Sequence, residues 1–312
     1  MKQYINESKI INIGETPQFI MIKGIDITNP ILLILHGGTA QTAQFTKFNQ
    51  KLENHFTVVY WDQRGEGKSN HKDINPKSLN LERFIKDIHE LTTYLKTRFK
   101  KEKIYLLAHS MGTLLGMKTI KKYSNDYISY IAISQVADPI KSDNIAHEKL
   151  KQLIKKKKDL KKLLSIERIN KENILKIDLN KRTKKLLSLS IKYGGMFFDK
   201  KLSTLIKIAL SPIFTFKHYN FKDKLKALSQ HKEKIEFYYQ NNLMEDILEI
   251  DVPIYFIHGK EDYIINYDLT KEYFEKIKAA KKEFITFDKS AHFPQFEENE
   301  KFNNLIIKKL FG

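Results

Sequence analysis

The chain of 312 residues contains no cysteine. That excludes disulfide staples, thiolate nucleophiles and cysteine-ligated metal together, and it fits a reducing compartment. Long apolar runs are also missing, since no stretch approaches the ~18–20 residues needed to cross a bilayer. The opening, MKQYINESKIINIGETPQ, is polar and has no apolar h-region, which argues against a secretory signal. A soluble, cytoplasmic protein is expected. Tryptophan occurs once, at Trp61. Acidic residues are few beside basic ones, 37 Asp and Glu against 55 Lys and Arg, for a net charge of +18.

That charge is local. Pro139 to Glu245 holds 26 basic and 11 acidic residues, so +15 of the +18 lies there and the remainder is close to neutral. No nucleic-acid motif and no aromatic-interleaved groove pattern accompanies it. The lysines are expected to be solvated helix faces, with neither nucleic acid nor membrane as a partner. A milder possibility is that they favour anionic or neutral substrates.

What is present is a core of ordinary size, with 41% hydrophobic residues. Apolar strand runs alternate with helical patterns from Ile31 onward: strands at Ile31–Leu35, Phe56–Trp61, Ile104–Ala108 and Ile128–Ser134, with a helix over Glu82–Phe99 and another ending near Tyr123. The rhythm resumes with strands at Val252–Gly259 and Glu283–Asp288 and helices at Tyr267–Ile277 and Glu298–Leu310. This alternation predicts a mostly parallel, doubly wound α/β sheet. Between the halves the chain is rich in Leu, Ile and Lys and lacks strands. Leu150, Leu153, Ile154, Leu160, Leu163 and Leu164 fall on one helical face, and breaks are expected at Gly194-Gly195 and Ser211-Pro212. The expected organisation is a core of residues 1–138, an inserted helical lid of 139–245, and a second core part of 246–312. No internal repeat is apparent.

Ligands of such sheets bind beyond the carboxyl ends of the strands, and the motifs sit there. In IYLLAHSMGTLLG a strand stops at Ser110 and a helix starts at once. Small residues, Ala108 and Gly112, flank the serine two places to either side, as a nucleophile on a tight turn requires. The alternative is a serine that only caps a helix. Two backbone N–H groups should stabilise an oxyanion, that of Met111 and one from HGGTA, for which Gly38 is the candidate. Taken alone, Gly37-Gly38 would be an ordinary turn. Of the histidines, only His292 follows the last strand in the right chain order for the general base. His36, His109 and His258 adjoin strand ends and are expected to pack or orient loops. The orienting acid is expected at Asp262, with Glu261 and then Asp288 as alternatives.

The motif set LHGG, YWDQRGEGKS, AHSMG, HGKED and SAHFPQFEE, spanning nearly the whole chain, resembles the α/β-hydrolases in its Ser, Asp, His order. YWDQRGEGKS is similar to the loop of proline iminopeptidase-like hydrolases, which cleave N-terminal proline or related small amides and esters. The resemblance implies an α/β-hydrolase fold, no cofactor, no metal, and loop-bracing roles for Asp62 and Arg64. His-Gly-Gly-Thr-Ala stands where that branch usually has His-Gly-Gly-Pro-Gly. Its nucleophile motif commonly reads Gly-Gly-Ser-Trp-Gly, against Ala108-His109-Ser110-Met111-Gly112 here. KIEFYYQ resembles a lid segment that holds a substrate ammonium, which implies Glu236 as an anchor. The expected activity is hydrolysis of a small ester or amide through an acyl-enzyme on Ser110. The alternatives are a proline iminopeptidase-type aminopeptidase that removes N-terminal residues from short peptides and a non-catalytic receptor on the same fold.

Overall fold

A computed structural model describes residues 3–167, 179–229 and 231–311. Residues 168–178 and 230 of the expected lid, and residues 1–2 and 312 of the expected core, lie outside them.

Eight strands form one sheet: β1 (Ile5–Ile13), β2 (Thr16–Gly24), β3 (Ile31–Leu35), β4 (Thr57–Trp61), β5 (Ile104–His109), β6 (Tyr127–Ile133), β7 (Ile254–Gly259) and β8 (Lys282–Phe287). Their spatial order is β1-β2-β4-β3-β5-β6-β7-β8. From β4 to β8 all neighbours run parallel, while β2 is antiparallel to both β1 and β4. The amino-terminal hairpin was not anticipated. Its signal is present nonetheless, since β1 alternates inward and outward and Gly14 and Glu15 turn the chain at positive φ.

The central strands bury both faces, which is why they read as unbroken apolar runs. Leu33, Leu35, Leu106 and Phe256 join one core layer, while the alternate residues Leu32, Ile34, Leu107 and Ile257 join the other. Helices Leu81–Phe99 and Met111–Lys122 cover the first face. Helix Asn299–Leu310 covers the second. The chain steps from β3 to β4 on one side and then crosses back to β5 on the other. The loops after β3 and β5 therefore diverge, opening a crevice at the sheet's carboxyl edge.

Between β6 and β7 the described residues are mainly helical. The main helices are Pro139–Lys156, Leu160–Glu167, Leu179–Tyr193, Phe221–Ala227 and Lys232–Tyr239. Leu150, Ile154, Ile166, Leu186 and Leu189 form a small core of their own. The expected single stripe does not hold throughout, because Leu160 and Leu164 are exposed. Lys158, at φ 53, breaks the helix and resets its phase. A break does follow Tyr193, at Gly194-Gly195. At Ser211-Pro212 there is none. Leu202–Leu205 passes through a π segment, Ile206–Leu210, into Ser211–Thr215. The wider turn spares proline the i−4 contact and bond it could not make.

Candidate active site

Ser110 sits alone between the end of β5 and the start of helix Met111–Lys122. Its backbone has φ 54 and ψ −127, a conformation that non-glycine residues adopt only where the surroundings force it. Its N–H is tied to the Ile133 carbonyl at 2.9 Å. A Cβ at Gly112 would lie 2.4 Å from the His36 carbonyl oxygen, so glycine there lets the new helix pass the end of β3. Ala108 lies in the sheet interior, paired with Leu35 and Ala132, and is fully buried. The turn therefore needs its glycine on the helix side and accepts alanine on the strand side.

His292 Nε2 is 3.0 Å from Ser110 Oγ, and His292 Nδ1 is 2.9 Å from Asp262 Oδ2. Asp262 is buried. Burial alone would raise its pKa, but attraction to His292 and hydrogen bonds from His258 and His292 outweigh it and hold the carboxyl below its usual range. Its other oxygen accepts the Ile264 and Ile265 N–H groups at 2.8 and 3.0 Å. An ionised carboxylate can only accept, so Nδ1 carries the proton and Nε2 turns a lone pair to the serine hydroxyl. The three residues expected from sequence meet in one hydrogen-bonded chain. Glu261 instead accepts the Tyr263 hydroxyl at 2.8 Å.

The neighbouring histidines have structural partners. His36 Nδ1 donates to the Gly37 carbonyl at 3.0 Å and its Nε2 accepts the Gln63 N–H at 3.1 Å. Burial, reinforced by Lys234, lowers its pKa to about 3. His109 Nε2 donates to the His292 carbonyl at 2.9 Å, and burial followed by repulsion from His292 keeps His109 neutral. His258 Nε2 donates to the Ile265 carbonyl at 2.9 Å.

The DQRGEG loop ties the site to its surroundings. Asp62 accepts the Thr42 and Tyr219 hydroxyls, each at 2.6 Å, and the Lys68 N–H at 2.9 Å. Arg64 pairs with Asp87 at 2.7 Å and caps the Ile13 and Gly14 carbonyls of the hairpin. Glu66 forms a fully buried pair with Lys234 at 2.9 Å, joining this loop to helix Lys232–Tyr239.

Ser110, His292, Gly38 and Met111 line a cavity of about 340 Å³. Its walls are largely apolar, with Leu186, Ile191, Leu205, Leu210 and Ile235 among them. Met111 opens its helix, so the positive end of the helix dipole faces the serine. Glu236 does not reach this space. Ile235, Tyr238 and Tyr239 face inward, and Glu236 is turned to an exposed side of the same helix. The carboxylate in the wall is Asp143, which sequence reasoning missed. It accepts the Tyr239 hydroxyl at 2.5 Å and faces the buried Arg182 at 3.4 Å. Burial raises its pKa against those two partners. No lysine or arginine is among the described residues lining the cavity, the nearest one named being Arg182 behind Asp143. Nor do three His, Asp or Glu side chains converge as a metal set among the described residues. A larger polar hollow of about 920 Å³ sits under the hairpin near Arg64 and Arg83, away from the serine.

The family described as serine aminopeptidase, S33, matches residues 27–250. The chain belongs to that family. Over 311 residues it is 31% identical to the probable aminopeptidase YbaC of Bacillus subtilis (strain 168), covering 98% of this chain and 97% of that one. Solved structures share the fold. A 2-hydroxy-6-oxo-6-phenylhexa-2,4-dienoate hydrolase from Rhodococcus sp. strain RHA1 gives a TM-score of 0.66 at 14% identity, over 99% of this chain and 100% of that one. A proline iminopeptidase-related protein from Thermus thermophilus gives 0.66 at 16% identity, over 98% of each. The expected α/β-hydrolase fold and membership of that superfamily are therefore established, and the chain is a hydrolase of this class. Among the described residues no helix is long and apolar enough to cross a membrane.

Proposed function

We propose that this protein is a serine hydrolase that forms an acyl-enzyme on Ser110. The observation that carries the reading is the unbroken chain from Ser110 Oγ through His292 to Asp262, at 3.0 and 2.9 Å. His292 Nε2 takes the hydroxyl proton as Oγ attacks the carbonyl carbon of an ester or amide. The N–H groups of Gly38 and Met111 receive the oxyanion. The proton then passes from His292 to the departing alcohol or amine. Water, deprotonated by the same ring, releases the acid and frees Ser110. Asp262 keeps the tautomer and stabilises the imidazolium without taking its proton.

The apolar cavity supports a small substrate with an apolar substituent. We assign residues 139–245 as a lid between core parts 1–138 and 246–312, since this segment supplies most of the described residues lining the cavity. The cysteine-free composition supports the cytoplasm, and no nucleic-acid or membrane partner is assigned.

Asp143 favours a second reading within this class, an aminopeptidase. It is the only carboxylate among the described lining residues and could pair with a substrate ammonium, the task first given to Glu236. The family and the Bacillus relative support the same direction. A fluorophosphonate probe should label the wild type and fail on Ser110→Ala. Labelling that survives would remove Ser110 from the nucleophile role, and binding without turnover across a broad substrate panel would favour a receptor. Short-chain aryl esters should then be assayed beside a prolyl-arylamide. Asp143→Asn should raise KM for the arylamide and leave ester hydrolysis unchanged if the aminopeptidase reading is right.

A further inference from the structure

Glu297 lies five residues after His292, at the end of the short helix Pro294–Glu297. One carboxylate oxygen accepts the N–H of Ala291 at 2.9 Å and that of Phe293 at 3.3 Å, the residues on either side of the histidine. The other accepts the N–H of Phe198 at 2.7 Å. Phe198 belongs to the strap that follows Gly194-Gly195 in the helical segment. That strap holds two further bonds to the site: the Tyr263 N–H donates to the Gly195 carbonyl at 3.2 Å and the His292 N–H to the Met196 carbonyl at 3.3 Å. Phe197 stacks on Phe293, with ring centroids 5.3 Å apart. One stretch of four residues thus touches the loop of the acid, the loop of the histidine and the carboxylate that clamps the latter.

We propose that Glu297 is a positioning residue for His292, and that docking of the Gly195–Phe198 strap on it completes the histidine loop, so that a competent site requires the strap in place. The proposal rests on the triad reading above. A half-buried carboxylate is costly unless donors surround it, and these three donors all belong to the reactive loop or the strap. Burial outweighs those donors and raises the Glu297 carboxyl to about 7. The two carboxylate oxygens have separate tasks. A glutamine can keep its carbonyl on the Ala291 and Phe293 side, but its NH2 then meets the Phe198 N–H donor to donor. Glu297→Gln therefore cuts the strap and spares the loop, whereas Glu297→Ala removes both. Gly195→Ala unseats the strap without touching Glu297, because a Cβ there would lie 2.4 Å from the Tyr263 ring and φ is +103.

The test measures labelling of Ser110 by a small fluorophosphonate, together with kcat and KM for an aryl ester. Glu297→Ala is expected to slow labelling and lower kcat by about 10²-fold with KM nearly unchanged, the scale of a small misplacement of a reacting group. Glu297→Gln and Gly195→Ala should each cost about tenfold, and their double variant should lose no more than the worse single, since both act by undocking the same strap. If Glu297→Ala does not fold by near-UV circular dichroism, the other two variants carry the test. Labelling within twofold of wild type in Glu297→Gln and Gly195→Ala would overturn the proposal, as would losses that multiply in the double variant. Failure of wild type to label at Ser110 is a different result and would sink the triad reading instead.

Discussion

Replacing Asp262 by asparagine is nearly isosteric but reverses half of its hydrogen bonding. The aspartate accepts on both oxygens: two backbone N–H groups on Oδ1 and His292 Nδ1–H on Oδ2. An asparagine has one oxygen. If it serves the Ile264 and Ile265 N–H groups, the side-chain NH2 faces Nδ1, and His292 can answer only by moving its proton to Nε2. That proton then points at Ser110 Oγ, and the base is lost. If the amide flips, two buried N–H groups confront an NH2, which costs about 1–3 kcal/mol for each group left unsatisfied. The first arrangement costs less in folding, so the variant should fold and lose catalysis. In a measured serine protease the same exchange lowers kcat by about 10⁴-fold, and at about 1.36 kcal/mol per factor of ten this is about 5.4 kcal/mol of transition-state stabilisation. The assay is kcat for an aryl ester beside the rate of fluorophosphonate labelling, with the urea midpoint as a control for folding. Both rates should fall together while the midpoint stays near that of wild type. Activity within tenfold of wild type would refute the assignment of Asp262 as the orienting acid.

Gly112→Ala places a methyl group 2.4 Å from the His36 carbonyl oxygen. The turn must shift, and kcat for the aryl ester should drop by about 10²-fold or more, as expected for a misplaced nucleophile. Lys234→Ala strands the buried carboxylate of Glu66 and should cost about 3–5 kcal/mol in urea unfolding, with much of it restored in the Glu66→Gln/Lys234→Met double variant. Asp62 is pushed up from 3.8 to about 6, chiefly by burial and against the bonds from Thr42, Tyr219 and Lys68. The folded state therefore binds its proton more tightly than the unfolded chain, so its contribution to stability is present below about pH 4 and lost as pH rises through about 6. The unfolding free energy of Asp62→Asn minus that of wild type should accordingly rise across that window, and a flat difference would contradict the shift.

Much of the candidate site could be read from sequence because strand ends are marked there. Ile104–Ala108 is an unbroken apolar run, and the change to a helical pattern falls on one residue, Ser110. His292 and Asp262 could be placed by chain order after late strands. Glu236 failed for a simple geometric reason. Ile235, Tyr238 and Tyr239 occupy positions i, i+3 and i+4, so the helix turns its next residue, Glu236, about 100° away from the cavity. Asp143 escaped notice because its partners, Arg182 and Tyr239, lie on two other helices, and no period within one helix reports such a meeting. The helical phase across Leu150–Leu164 was lost where Lys158 takes a left-handed conformation, which no glycine announces. The strap contacts of Gly195, Met196 and Phe198 are mostly made by backbone atoms, which carry no side-chain signature at all.

The separation of charge between the inside and the outside of the helical segment bears on the speed of encounter as much as on the fit of a substrate. Residues 139–245 carry +15, yet the named walls of the cavity hold one carboxylate and no lysine or arginine. A cationic substrate would meet repulsion from these lysines on approach, and inside it would find Asp143 already paired with the buried Arg182. Such a surface field is screened within about 8 Å at physiological salt, whereas the interior carboxylate is shielded far less. Ionic strength therefore acts on the two stages separately. Added salt weakens the outer field and leaves the buried Asp143–Arg182 pair largely intact, so a salt series on KM separates the approach of a charged substrate from its final contact.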